Sequence, residues 1–258
     1  KPCAITIELS RRLAAAIGSS GRVFQAGTQR RNVSNFQHAV RLAQTGKLGK
    51  LHTLHASIYE LQDRHDWLPA EPEPSKDVVD WDMWLGPAPW RPYNHQYVDG
   101  AWRGHHDFDS GAKLLDWGAH TLDLCQWALQ ADDTTPVTYE PLQVPGDNVI
   151  ECVYANGVKL VLRKDGWMGL GTCPVRFEGD EGWVETGDSG RIDVSSATLR
   201  AELPPPCPDP GVSPRLHVRD FFDCVKTRGK PACHADIAAR SHIACHAAAI
   251  AWILGRKL

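Results

Sequence analysis

The chain has 258 residues, of which 42% are hydrophobic and 23% charged, a composition typical of a globular protein rather than a disordered or collagen-like one. Its formal net charge of -3 gives no overall basic field, so we expect no nucleic-acid partner. The longest apolar stretch, residues 243–254, is interrupted by Cys245 and His246, so we also expect no membrane-spanning segment. Together these properties favour small-molecule chemistry.

The first part of the chain predicts a helix, a strand and a second helix. Residues 12–17 suggest a helix, and residues 22–27 are a short apolar run with glycine on each side, which predicts a strand. Residues 32–47 place apolar side chains at helical spacing and have glycines near their end, which predicts an amphipathic helix. This order is typical of an open α/β sheet.

The middle of the chain changes character after a predicted strand at residues 51–59. Residues 62–111 are rich in Pro, Trp, Asp and His, and this segment is too long for a simple connection, so we predict a functional loop region. Seven of the ten tryptophans lie in one quarter of the chain: Trp67, Trp81, Trp84, Trp90, Trp102, Trp117 and Trp127. Such residues either line a sugar or cofactor pocket or anchor irregular loops, and the sequence leaves both alternatives open.

The second half predicts a helix at residues 113–130 and then an antiparallel sheet. Asn156-Gly157 is a strong hairpin signal. The predicted hairpin strands are residues 149–154 with 158–162 and residues 175–178 with 182–186. A proline-rich crossing and two helices follow, at residues 204–214, 216–227 and 235–254.

Eight cysteines are scattered without the spacing of a small disulfide scaffold and without a CxxC motif, so we expect buried thiols. The one cluster that resembles a metal site is Cys233-His234 followed by His242, Cys245 and His246. Its alanine-rich surroundings are typical of a closely packed helix, and no second ligand pair at zinc spacing accompanies it. We therefore predict no metal site.

The densest chemical signal is the pair Asp116 and His120, four residues apart on the predicted central helix. That spacing places both side chains on one face, where a carboxylate can orient the imidazole and raise its basicity. This arrangement suits a general base that works near neutral pH. Alone, the pair is weak, because a solvated surface pair at this spacing is common.

Several motifs, in order, resemble the glucose-fructose oxidoreductase, inositol dehydrogenase and rhizopine-catabolism (Gfo/Idh/MocA) oxidoreductases. Lys1-Pro2 resembles the end of their Glu-Lys-Pro motif, and residues 22–31 resemble the strand and turn after it. Residues 82–94, with the core Trp-Leu-Gly-Pro-Ala-Pro-Trp-Arg-Pro-Tyr-Asn, and residues 110–129 are also similar. The tail, Cys245-His246 with residues 254–258, completes a resemblance that extends over essentially the whole chain.

The resemblance implies an α/β plus α+β fold. Residues 1–49 would be the C-terminal remnant of a doubly wound Rossmann domain. Residues 50–258 would form a substrate domain with an open, mostly antiparallel sheet and helices on one face. The free face of that sheet commonly supports oligomers in the family, so the resemblance also implies a homo-oligomer.

The family's Gly-rich turn and the acidic residue for the ribose do not occur in this sequence. We therefore expect either a fragment of a longer protein or a shortened member with impaired cofactor binding. The first residue is Lys1, with no initiator Met or secretory segment, so a cytoplasmic and an exported location both stay open.

Site residues follow from the resemblance position by position. Lys1 matches the lysine that contacts the reacting hydroxyl and the nicotinamide, His120 the acid/base, and Asp116 its orienting partner. Three residues would lie near the cofactor or substrate: Gln29, Trp90 and Arg91. The segment before the catalytic helix supplies candidate sugar contacts: Trp102, Arg103, His106 and Asp107.

The implied function is NAD- or NADP-dependent oxidation or reduction of a secondary alcohol in a sugar, polyol or glycoside. His120 would remove the hydroxyl proton while Lys1 stabilises the developing alkoxide. Two alternatives stay open. One is an NAD-dependent glycosidase that oxidises a sugar transiently and eliminates the leaving group, with the same three residues. The other is a non-catalytic fragment or a binding or assembly protein.

Overall fold

A computed structural model describes residues 1–58, 66–109, 112–164, 169–205 and 213–258. Parts of the Trp-rich segment, of the motif at 110–129 and of the proline-rich crossing, and Tyr59 of the predicted strand 51–59, lie outside the described residues. The strands are β1 (Leu51–Ser57), β2 (Thr138–Val144), β3 (Asp147–Val153), β4 (Lys159–Arg163), β5 (Val175–Gly179), β6 (Gly182–Thr186) and β7 (Ile192–Val194). The helices are α1 (Ile7–Ser20), α2 (Ser34–Gln44), α3 (Trp81–Leu85), α4 (His106–Asp109), α5 (Ala112–Asp116), α6 (Gly118–Ala128), α7 (Ala197–Ala201), α8 (Arg215–Thr227) and α9 (Ala235–Leu254).

The strands form one open sheet of seven, in the order β2-β3-β4-β1-β5-β6-β7. Strand β1 pairs with β4 in parallel, and the remaining neighbours pair antiparallel. Leu54 at the centre of the sheet lies opposite Leu160 on one side and Phe177 on the other. The mostly antiparallel open sheet expected from the resemblance is therefore present.

One face of the sheet carries the core because apolar side chains alternate along each strand. Leu54, Leu160 and Phe177 are fully buried and pack with Phe36 of α2 and Leu122 of α6 in the main hydrophobic cluster. Helix α9 packs against β2 and β3 beside them. The helices that hold the candidate site thus rest on the centre of the sheet.

The opposite face of the sheet carries several charged side chains. Arg176 forms ion pairs with Glu178 at 2.6 Å and Glu185 at 3.1 Å, and its guanidinium lies 4.0 Å from the ring centroid of Trp183. Nε2 of His55 lies 3.7 Å from a carboxylate oxygen of Glu178. The homo-oligomer implied for this face stays a prediction.

The two predicted hairpins are confirmed as β3–β4 and β5–β6, with Ile150 opposite Leu162 and Phe177 opposite Val184. The predicted strand at residues 22–27 is wrong, because that segment has no strand conformation. Ala26 donates a backbone hydrogen bond to Cys233 at 2.8 Å and packs beside it. Among the described residues no strand pairs with the segment, so a single hydrogen bond to the turn before α9 takes the place of a ladder.

Two helix predictions also change. The helix predicted at 12–17 is part of the longer α1, which begins after Thr6, whose hydroxyl accepts a hydrogen bond from the amide of Leu9 at 3.1 Å. The helix predicted at 113–130 is interrupted at Trp117, so that α5 ends at Asp116 and α6 begins at Gly118. A Cβ at Gly118 would lie 2.8 Å from Cγ2 of Ile58, which shows how closely α6 begins against the chain after β1.

Helix α9 is long and apolar enough to cross a membrane by length and composition, with a mean hydropathy of 1.4 over its best window. The helix is thus longer than the apolar stretch at residues 243–254 on which the sequence prediction was based, because it starts at Ala235. In the structure 56% of that window is buried inside the protein, where α9 contacts α1, α6 and β2. A buried core helix passes the same test.

Candidate active site

Asp116, the last residue of α5, lies between two cations. Nζ of Lys1 is 3.6 Å from its Oδ1, and Nε of Arg103 donates a hydrogen bond to its Oδ2 at 3.2 Å. The guanidinium of Arg103 lies 4.4 Å from the ring centroid of Trp102, within the range of a cation–π contact. The structure therefore brings Lys1, at the start of the sequence, together with Asp116, Arg103 and Trp102.

His120 lies in the first turn of α6 and is 3% exposed. Its backbone amide donates to the carbonyl of Trp117 at 3.0 Å. Its ring nitrogen Nδ1 is buried and has no hydrogen-bond partner within the described ranges. The helix break separates His120 from Asp116, and the carboxylate bonds Arg103 instead. Orientation of the imidazole by Asp116 stays a prediction.

Burial and charge set the protonation of the two candidate groups. Burial lowers the pKa of the Lys1 amine below its ordinary value, and the negative charge of Asp116 partly opposes that shift. Burial also lowers the pKa of His120 well below its ordinary value, and the positive charges of Arg30 and Lys1 lower it further. His120 is consequently neutral at neutral pH, the state in which an imidazole can accept a proton.

Arg30 is a residue near the site that the sequence did not single out. It is 2% exposed, and its Nε and Nη2 donate to the two carboxylate oxygens of Asp188 at 2.8 and 2.5 Å. The hydroxyl of Thr172 donates to the same carboxylate at 2.7 Å. Arg30 follows Gln29 directly, and its partner lies far along the chain, so no local pattern could have revealed the pair.

Gln29 is half-buried in a 3-10 turn, Gln29–Asn32, which places it next to Arg30. The following Arg31 holds this turn against α6, because its guanidinium pairs with Asp123 at 2.6 Å and Asp132 at 2.5 Å. The turn is thereby fixed beside the helix that carries His120. The role of Gln29 in binding a cofactor stays a prediction.

The Trp-rich segment contains a small aromatic core of its own. Trp81 is 1% exposed, and its indole nitrogen donates to the carbonyl of Arg91 at 2.8 Å. The ring of Trp81 stacks on that of Trp84 with centroids 4.7 Å apart. This aromatic cluster comprises Trp67, Leu68, Trp81, Trp84, Leu85, Tyr93, Tyr97, Trp102 and Phe108. Trp67, Trp81 and Trp84 therefore pack within this segment, and Trp84 also lines a pocket with Trp102 and Asp107.

A second polar pair lies at the edge of the aromatic cluster. Nη2 of Arg91 donates to Asp107 at 2.5 Å, and the guanidinium of Arg91 lies over the ring of Trp67. Asp107 and Trp102 line one pocket of about 200 Å³, so two of the predicted sugar contacts share a cavity. His106 is half-buried at the start of α4.

Trp90 is 71% exposed, and its role near a cofactor or substrate stays a prediction.

Most cysteines of the described chain are buried: Cys125, Cys152, Cys173, Cys233 and Cys245. Cys3 and Cys224 are half-buried. Within the described residues there is no group of three or more His, Cys, Asp or Glu side chains that could hold a metal ion. His242 and His246 instead bond the backbone of Cys3 and Ala4.

The sequence of this chain is similar to that of a known protein family. The profile of a family described as "Oxidoreductase family, C-terminal alpha/beta domain" (Gfo/Idh/MocA) matches residues 64–258. A comparison with curated proteins finds no match.

Solved structures share the fold over 100% of this chain and about 70% of their own length. Aldose-aldose oxidoreductase from Caulobacter crescentus, complexed with glycerol, is 16% identical and covered to 70%, with a TM-score of 0.63. Myo-inositol 2-dehydrogenase from Lactobacillus plantarum is 18% identical and covered to 71%, also with a TM-score of 0.63. The WlbA dehydrogenase from Bordetella pertussis, in complex with NADH and UDP-GlcNAcA, is 14% identical and covered to 69%, with a TM-score of 0.65. The profile match spans most of the sequence, and the chain belongs to the Gfo/Idh/MocA family of oxidoreductases.

Proposed function

We propose that this protein is an NAD- or NADP-dependent oxidoreductase that acts on a secondary alcohol of a sugar, polyol or glycoside. The observation that carries the proposal is the placement of Lys1, which is half-buried and pairs with Asp116. The positive charge of Lys1 acts on His120, which is buried and neutral. A cation and a neutral imidazole in one place are the two groups that alcohol oxidation requires of the protein. The relatives named above, an aldose oxidoreductase and an inositol dehydrogenase, support the substrate class.

The chain's own residues divide the work as follows. The imidazole of His120 takes the hydroxyl proton, and the ammonium of Lys1 stabilises the negative charge that grows on the oxygen. Asp116 holds Lys1 in place, and Arg103 holds the other oxygen of Asp116. Because both Lys1 and His120 are largely removed from water, their charges and dipoles act strongly on the reacting oxygen.

The residues present fit the reacting end of a nicotinamide cofactor, since they include the buried, unpartnered Nδ1 of His120 and the half-buried amine of Lys1, whose positive charge acts on His120. Gln29 and Arg91 are the residues that we propose to hold this end of the cofactor, together with Lys1. When bound, the cofactor supplies the acceptor for the hydride. We propose Trp102, Arg103, His106 and Asp107 for the sugar, because Trp102 and Asp107 line one pocket.

The test is a substrate screen on the protein that contains this chain, with NAD and NADP and a panel of sugars, polyols and glycosides. Reduction of the cofactor is followed by absorbance, and release of the leaving group from glycosides is followed by mass spectrometry. We expect reduction with at least one alcohol and its loss in His120→Asn and Lys1→Met. Release of the leaving group would favour the glycosidase route. No turnover with any compound, despite measured cofactor binding, would contradict the proposal.

A further inference from the structure

Two histidines of α9, one helical turn apart, hold the backbone directly after Lys1. The amide of Cys3 donates to Nδ1 of His242 at 3.2 Å, and Nε2 of His246 bonds the carbonyl oxygen of Ala4 at 3.0 Å. The two imidazoles are 0% and 4% exposed. Both contacts join residues at opposite ends of the sequence, so they fix the start of the chain against α9.

The two hydrogen bonds require specific protonation. Nδ1 of His242 can accept only when it carries no proton, and Nε2 of His246 can donate only when it carries one. Burial lowers the pKa of His242 to about 3 and that of His246 to about 4. Both rings are therefore neutral at neutral pH, and one tautomer of each, with the proton on Nε2, satisfies both contacts.

The two contacts hold the backbone two and three residues after Lys1. Pro2 has no amide hydrogen to donate, and the first helix begins only after Thr6. The contacts at Cys3 and Ala4 therefore fix the backbone between Lys1 and the start of α1.

Helix α9 also contacts the helix that carries His120. The hydroxyl of Ser241 donates to Asp123 of α6 at 2.6 Å, and both side chains are buried. Ser241 precedes His242 directly, and Asp123 lies one turn after His120. One stretch of α9 consequently holds both the backbone next to Lys1 and the helix turn next to His120.

We propose that His242 and His246 are positioning residues, which set the place of the Lys1 amine beside Asp116 by fixing the backbone of Cys3 and Ala4. This inference rests on the proposed function, in which Lys1 stabilises the reacting oxygen. Neither histidine needs to touch the substrate. Their effect on the reaction passes through Lys1.

The two histidines use different ring nitrogens, which allows a matched test in the protein that contains this chain. His242→Asn places an amide oxygen near the position of Nδ1, and His246→Gln places an amide nitrogen near that of Nε2. The swapped variants, His242→Gln and His246→Asn, use the same two side-chain types. Their polar atoms do not match the positions of Nδ1 in His242 and Nε2 in His246. The matched double variant is the control for the swapped one.

Two readouts do not need activity. Hydrogen exchange measures protection of the Cys3 amide, and site-resolved mass spectrometry measures the acylation rate of the Lys1 ε-amine as a function of pH. In the swapped variant we expect both rates to rise roughly threefold to tenfold, the range for loss of a hydrogen bond. In the matched variant we expect both within about twofold of wild type, since the hydrogen bonds are kept.

Unchanged exchange and labelling in the swapped variant would overturn the proposal. An equal rise in both double variants would also overturn it, since only ring packing would then matter. If the swapped double variant does not fold, the single variants His246→Asn and His246→Gln are compared instead. Their labelling rates distinguish loss of the hydrogen bond from loss of ring packing. Labelling of Lys1 does not depend on turnover. A wild-type protein without oxidoreductase activity would therefore contradict the proposed function, while the labelling comparison would still test the role of the two histidines.

Discussion

The amine of Lys1 lies 3.6 Å from Oδ1 of Asp116, while Arg103 bonds the other oxygen of the same carboxylate. One anion is thus shared by two cations from different parts of the chain. Loss of that anion would leave Lys1 and Arg103 close together without a charge between them. The position and the pKa of Lys1 both depend on Asp116.

Asp116→Asn should lower the pKa of Lys1 further. The charge of Asp116 raises this pKa against the larger effect of burial, so its removal favours the neutral amine. We expect the alkaline limb of the kcat/KM profile to move to lower pH, and the rate to fall on the order of 100-fold, the effect of a displacement near 1 Å. The labelling rate of Lys1 against pH gives an independent reading, with Asp193→Asn, in an exposed ion pair with Arg191, as the control. An unchanged or raised pKa would contradict the pairing.

His120→Asn should lower kcat by roughly 10²–10⁴-fold, the usual contribution of a general base. The ring is 3% exposed, so we also expect a loss of about 0.5–3 kcal/mol in the free energy of unfolding. His38→Asn separates the two effects, because His38 is also buried but lies on α2 and bonds Arg41. This control should lose stability and keep its kcat. Equal losses of kcat in both variants would assign the effect to folding.

Local patterns of the sequence predicted the sheet better than the site. The Asn156-Gly157 turn is a short-range signal that predicted the β3–β4 hairpin, and the same pairing pattern around residues 179–181 predicted the β5–β6 hairpin. The interruption at Trp117 was not predicted, because helical periodicity runs through it and the break accompanies the close approach of Gly118 to Ile58. The pair of Arg30 with Asp188 joins distant segments, and such contacts leave no mark in local periodicity.

Gly118→Ala should displace the start of α6. An added Cβ would lie 2.8 Å from Cγ2 of Ile58, so either the side chain or the helix must move. We expect a loss of about 1–3 kcal/mol in the free energy of unfolding, and a lower kcat because His120 lies two residues later. Gly18→Ala is the control, since nothing lies within 4 Å of its added Cβ and alanine favours its helix. A Gly118→Ala protein with wild-type stability would show that α6 tolerates the side chain.

The buried pair of Arg30 and Asp188 should be strongly coupled. Their side chains are 2% and 6% exposed, and removal of one partner leaves a buried charge without its ion-pair partner, which costs about 3–5 kcal/mol. We expect that loss for Arg30→Met and for Asp188→Leu, and a smaller loss for the double variant. Urea unfolding of wild type, the two single variants and the double variant gives the coupling free energy by a double-mutant cycle. Additive losses would mean that the two charges do not interact.

Arg30→Met should also raise the pKa of His120, since the positive charge of Arg30 lowers it.

Acid should destabilise the protein partly through His242. Burial lowers its pKa from the ordinary 6.5 to about 3. Between these two pH values the unfolded chain binds a proton on His242, and the folded chain does not. The stabilisation that depends on the neutral ring is complete above pH 6.5 and is lost as pH falls towards 3, by up to about 1.4 kcal/mol per pH unit. In His242→Asn one titrating group is removed, so its free energy of unfolding should fall less steeply below pH 6.5. Urea midpoints across this range measure the slope. Parallel curves for His242→Asn and wild type would show that His242 takes up its proton equally in both states.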